Sequence, residues 1–80
     1  MKHKIIYIEW VDAHYDNGTQ STEEALKMEP FILQCAGMYV GETPDEVIYA
    51  NEWCVDNGTW RYIHAIPKVN IIKKVIKTLK

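Results

Sequence analysis

The stretch 46-EVIYANEWCVDNGTWRYIHAI-66 decides the fold. Residues 46–55 and 59–66 are two runs rich in β-branched and aromatic side chains, and each reads as a strand. Between them stands Asn57-Gly58, the strongest short hairpin signal, because both central residues of the tight turn need positive φ. A two-residue loop there pairs Asp56 with Thr59, Val55 with Trp60, Trp53 with Tyr62 and Asn51 with His64.

Upstream, Thr43-Pro44-Asp45-Glu46 reads as a type I turn with proline at its second position. As a four-residue loop it pairs Glu42 with Val47 and, further back, Met38 with Asn51, Ala36 with Trp53 and Cys35 with Cys54. A bulge at Gly37 would shift the last two by one residue. Residues 31–40 and 5–11 are two further strands. Between them lie a loop, 13–20, and a short helix, 22–28, opened by Ser21 with Glu24 three residues on and ended before Pro30. Pro67 stops the fourth strand. Residues 70–80 have two readings. Ile71, Ile72, Val75, Ile76 and Leu79 fall on one side of a helical wheel, yet β-branched residues dominate and favour a strand.

Alternation then gives the sheet two faces. One collects Leu33, Cys35, Ile48, Ala50, Cys54, Ile63 and Ala65, which suits a barrel or sandwich interior. The other collects Gln34, Met38, Tyr49, Asn51, Trp53, Trp60, Tyr62 and His64. An aromatic face with polar tips points to a subunit interface or a ligand site. The opposite arrangement, with the aromatic residues in the core, stays open.

The chain has 80 residues, enough for a single domain spanning 1–80. A core this small is marginal and calls for a disulfide, a metal or a partner subunit. No secretory leader is expected, since only four apolar residues separate Lys4 from Glu9, and no apolar run is long enough to span a bilayer. A cytoplasmic setting follows, in which Cys35 and Cys54 are thiols. Two cysteines without close spacing do not make a zinc site. Self-association is what remains.

Net charge is −2 and unevenly spread. Residues 1–60 carry Lys2, Lys4 and Lys27 against all 11 acids, while residues 61–80 carry Arg61 and five lysines with no acid. Such a split suits an anionic partner, self-complementary packing, or simply a solvated basic face.

No residue pattern names a catalytic chemistry. The single serine fits a helix cap, the four glycines are scattered, and the cysteines and histidines have no spacing that suggests thiol catalysis. The chain is read as a non-enzyme without cofactor or metal. Binding chemistry remains: Trp10, Trp53, Trp60 and Tyr62 can stack on a base, and Arg61 and His64 can meet phosphate. Asp12 and His14, at the end of the first strand, complete the candidate site. The acidic balance weighs against general nucleic-acid binding, which uses a broad basic surface, and so favours a small phosphorylated ligand.

The order of strand, short capped helix, three strands, Ile66-Pro67-Lys68 and a final apolar segment resembles an SH3-like or Sm-like small barrel. The stretches Glu9-Trp10-Val11-Asp12-Ala13 and Ile66-Pro67-Lys68 resemble those of short phage and prophage accessory proteins. The resemblance implies a mainly β, five-stranded antiparallel barrel with one short helix after the first strand. It further implies a counter-defence role in the host cytoplasm: a homo-oligomer that sequesters a cyclic-nucleotide signal without degrading it. A protein-interaction inhibitor of a host enzyme and a weak Sm-like nucleic-acid binder are the alternatives.

Overall fold

The computed structural model describes residues 3–13 and 18–79. Five strands form one antiparallel sheet: β1 (Lys4–Asp12), β2 (Phe31–Glu42), β3 (Glu46–Cys54), β4 (Thr59–Pro67) and β5 (Ile71–Thr78). A short helix, α1 (Thr22–Ala25), lies between β1 and β2, and one 3-10 turn, Lys68–Asn70, joins β4 to β5. The order across the sheet is β4-β3-β2-β1-β5.

The last segment is a strand. Its helical periodicity gives way because β1 offers a free edge, along which Lys4 to Trp10 pair with Thr78 to Ile71. β-branched Ile71, Ile72, Val75 and Ile76 suit that pairing. The helix is shorter than 22–28. Ser21 Oγ accepts the Glu24 N–H at 3.1 Å and so caps its start, but none of its residues is buried. Without packing, a single turn does not propagate.

The Pro44 turn has the expected register, with Glu42 opposite Val47. Thr43 fixes it: its Oγ accepts the Glu46 N–H at 2.9 Å and its hydroxyl donates to Glu46 Oε1 at 2.8 Å. The bulge lies between Tyr39 and Gly41 rather than at Gly37, and Met38 pairs with Ala50, not Asn51. The β2–β3 ladder ends there, so the expected pairs of Ala36 with Trp53 and Cys35 with Cys54 are not made.

The second hairpin corrects the register by two residues. Its loop is residues 55–58, with Cys54 opposite Thr59, Trp53 opposite Trp60 and Tyr49 opposite His64. The Gly58 N–H reaches back to the Cys54 carbonyl at 2.9 Å, and Gly58 takes φ 65°. Thr59 donates to Asn57 Oδ1 at 2.6 Å. Asn57-Gly58 thus closes a four-residue loop in which only the glycine needs the left-handed region.

The faces are also reassigned. The buried cluster is Ile6, Ile8, Val47, Tyr49 and Ile66, with Trp10, Cys35, Tyr39, Ile71 and Ile76 packed against it. The interior is therefore the aromatic side of β3 and β4. On the aliphatic side Ala50 is buried, but Leu33 and Ile63 are exposed. The bulge after Tyr39 carries the one-residue shift that sets Cys35 and Tyr39 beside Tyr49.

The sheet curls. Five flat strands would hold β4 and β5 about 19 Å apart, four strand spacings. Yet Pro67 and Ile71 are linked by a 3-10 turn, which rises only about 2 Å per residue. At the other end His3, beside β1, meets Trp53 of β3 and Trp60 of β4 at ring-centroid distances of 5.3 and 5.6 Å. His3 also accepts the Leu79 N–H at 3.0 Å through its carbonyl. The molecule nonetheless measures 54 × 22 × 22 Å with a radius of gyration of 16.5 Å. A compact chain of this length would have about 12 Å. The chain is therefore elongated rather than compact.

Candidate functional site

The inner face of the β3–β4 hairpin carries an aromatic tract from the core to the hairpin tip. At the core end the Tyr49 and His64 rings stack, 4.6 Å apart and 11° from parallel. Tyr49 is held by Gly37: a Cβ there would lie 2.6 Å from the Tyr49 ring and 2.8 Å from the Ala50 carbonyl. Burial, with the Cys35 thiol beside the phenol, pushes the Tyr49 hydroxyl up to about 12, so the ring stays neutral. The exposed rim of His64 carries Nε2, which shares a 2.8 Å hydrogen bond with Asn51 Oδ1.

At the tip, Trp53 and Trp60 form a cross-strand edge-to-face pair at 4.7 Å, and the His3 ring lies against both. Both indoles are partly buried. Between these two groups stands Tyr62, 62% exposed. Its φ of 57° makes it the one non-glycine residue in the left-handed region among the described residues. An aromatic residue there is uncommon and is held by its surroundings. The Arg61 guanidinium lies 5.4 Å from the Tyr62 ring centre and pairs with Glu52 at 3.5 Å. That pair is exposed on both sides and weak, about 0.2–1 kcal/mol.

Of the residues expected to bind, Trp53, Trp60, Arg61, Tyr62 and His64 therefore share this hairpin. Trp10 and Asp12 do not join them. Trp10 packs against the core, opposite Leu33 and Ile71. It lies seven residues along β1 from His3, which is about 23 Å. Asp12 turns to its own backbone and accepts the Ala13 N–H at 2.8 Å. His14 lies outside the described residues. His3, Asn51 and Tyr49 complete the tract, and only Tyr49 and Asn51 are legible from the alternation of β3.

A second polar centre went unforeseen. The Glu42 carboxylate accepts Tyr39 Oη at 2.8 Å, pairs with Lys68 at 3.2 Å and with Lys74 at 3.1 Å. These hydrogen bonds, Tyr39's first, lower Glu42 from its ordinary 4.5 to about 2. Part of the C-terminal basic excess is thereby used inside the molecule, tying β2 to the 3-10 turn and β5. On the opposite side of β1, Tyr7 donates to Glu9, which holds Glu9 below the usual carboxylate range and pushes the Tyr7 phenol up. Cys35 and Cys54 are free thiols. Among the described residues no helix is long and apolar enough to cross a membrane, and no cluster of three metal-ligating side chains occurs.

Comparison with protein-family models, curated proteins and solved structures finds no match.

Proposed function

We propose that this chain is a non-enzymatic binding protein that oligomerises and holds a nucleotide-like ligand on the β3–β4 hairpin. The observation that carries this reading is Tyr62. Its left-handed backbone sets the ring out into solvent beside the Arg61 guanidinium, with His64 two residues further along the strand. A base stacks on the exposed ring, and Arg61 and His64 meet phosphate. Phosphate displaces Glu52 from Arg61 at little expense because the existing pair is exposed.

If the sequence resemblance of residues 9–13 and 66–68 to phage accessory proteins holds, the ligand would be a cyclic nucleotide signal and the role its sequestration in counter-defence. An SH3-like or Sm-like barrel is supported by the strand order β4-β3-β2-β1-β5, the single turn after Pro67 and the His3 contacts that bring opposite parts of the sheet together. Capture of Lys68 and Lys74 by Glu42 weakens the Sm-like nucleic-acid alternative. Inhibition of a host protein through the same hairpin is favoured by the exposure of Val55, Tyr62 and Ile63.

Thermal-shift titration with cyclic di- and trinucleotides and ADP-ribose derivatives tests the reading. A shift in wild type that is lost in Tyr62→Ala and strengthened up to about fivefold in Glu52→Gln supports it. No shift with any of these ligands, from protein shown to be folded, refutes it. A stoichiometric host protein lost on Tyr62→Ala would favour the inhibitor instead.

A further inference from the structure

We infer that residues 32–37 of β2 form the self-association surface of this protein, pairing antiparallel with the same segment of a second copy. The inference rests on the oligomeric reading above and names the surface that serves it.

β2 is paired unequally on its two sides. β1 runs beside residues 31–38, whereas β3 pairs with β2 only from Met38 to Glu42. β3 then follows β4 away from β2. Residues 32–37 thus keep one edge unpaired among the described residues. Their backbone polar groups on that side are a template for another strand.

Beyond the end of β1, residues 39–42 also have an open edge among the described residues, and there Glu42 binds Lys68 and Lys74. The outer strands β4 and β5 have open edges too, and both are guarded. β5 carries Lys73, Lys74 and Lys77. β4 carries Arg61 and ends in Pro67, and its path is broken by the left-handed Tyr62. Lysine, proline and irregular backbone are the usual protections of an edge. Residues 32–37, Ile-Leu-Gln-Cys-Ala-Gly, contain none of them. Ile32 is 65% exposed and Leu33 also faces solvent, so apolar side chains are uncovered on both sides of the strand.

A second copy is the occupant that fits. Antiparallel pairing of one segment with itself is two-fold symmetric and closes after two chains. Like charges opposite each other destabilise such a pair, and this segment holds no charge. β5 paired with itself would set lysines against lysines. Six residues, about 20 Å, are also an ordinary strand length. Ile32, Leu33, Gln34 and Ala36 are exposed, so the segment is accessible.

Two measurements decide it. Amide hydrogen exchange across a concentration series, low micromolar to submillimolar, should show protection of residues 32–37 that rises with concentration, while β4 and β5 amides stay constant. Sedimentation of Ile32→Lys/Ala36→Lys, both exposed positions, should give a dimer weakened about tenfold or more with an unchanged circular dichroism spectrum. A wild-type monomer throughout the series overturns the inference. So does a dimer indifferent to the two lysines, or concentration-dependent protection confined to β4 or β5. Ligand thermal shifts measured alongside separate the two readings. A dimer through residues 32–37 without ligand response supports this surface and breaks only the ligand assignment, whereas a responding monomer breaks only the dimer.

Discussion

β2 has two halves with different surroundings. From Met38 to Glu42 it pairs with β3, its Tyr39 packs on the core, and Glu42 binds two lysines. From residue 32 to 37 it pairs with β1 instead and shows Ile32 and Leu33 to solvent. The two halves are similarly apolar. What separates them is the bulge after Tyr39 and the close seat of Tyr49 on Gly37, where β3 leaves. Hydrophobic composition therefore does not locate the core of this chain. Pairing on both edges does: Ile6 and Ile8 lie on β1 between β2 and β5, and Val47 and Tyr49 on β3 between β2 and β4.

Substitutions can break that contrast at decreasing scale. Ile8→Ala, in the buried cluster on β1, which is paired on both edges, should lower unfolding free energy by about 2–5 kcal/mol in urea melts. Gly37→Val stands at the border of the halves. Its side chain meets the Tyr49 ring and the Ala50 carbonyl, so a loss of about 1–3 kcal/mol or more is expected, with a changed Tyr49 environment in near-ultraviolet circular dichroism.

Glu42 sharpens the contrast through pH. Its folded value is lowered from 4.5 to about 2, so its contribution is complete above its unfolded value and fades as pH falls from about 4.5 toward 2. The urea midpoint of wild type should fall across that window, and Glu42→Gln should flatten this part of the profile. An identical acid slope in both proteins would show that the Lys68 and Lys74 contacts add nothing. At the small end, Ile32→Ala at low protein concentration should change monomer stability by less than about 0.5 kcal/mol, although a buried isoleucine lost to alanine costs several times more.

Much of this arrangement was legible in the sequence, and the failures have identifiable causes. Strand positions followed from β-branched runs ended by Pro44, Asn57-Gly58 and Pro67. The turn at Pro44 kept its register because Thr43 and Glu46 supply their own hydrogen bonds. Asn57-Gly58 was misread by two residues, since the same dipeptide can close a two- or a four-residue loop. The interior and exterior faces were exchanged because Leu33, Ile48 and Ile63 are as apolar as Val47, Tyr49 and Ile66. Curl, which selects between them, leaves no mark on composition. β5 looked helical because its isoleucines satisfy both periods, and only the open edge of β1 chooses. The aromatic hairpin was found, as residue type and alternation both carry it. His3, the left-handed Tyr62 and the Glu42 centre were not, since each depends on residues or backbone that distant pairing brings together.

The place of β1 between β2 and β5 has a kinetic consequence. Ile6 and Ile8, the centre of the core, sit on a strand whose second neighbour comes from the far end of the described chain: Ile5 pairs with Lys77. Loop closure of that span must precede the contacts that reward it, so the barrier to folding lies in the β1–β5 zipper. Refolding should be slow for so small a chain, in the millisecond-to-second range of nonlocal β topologies. Until β5 docks, a nascent chain presents Ile6 and Ile8 along an unpaired edge.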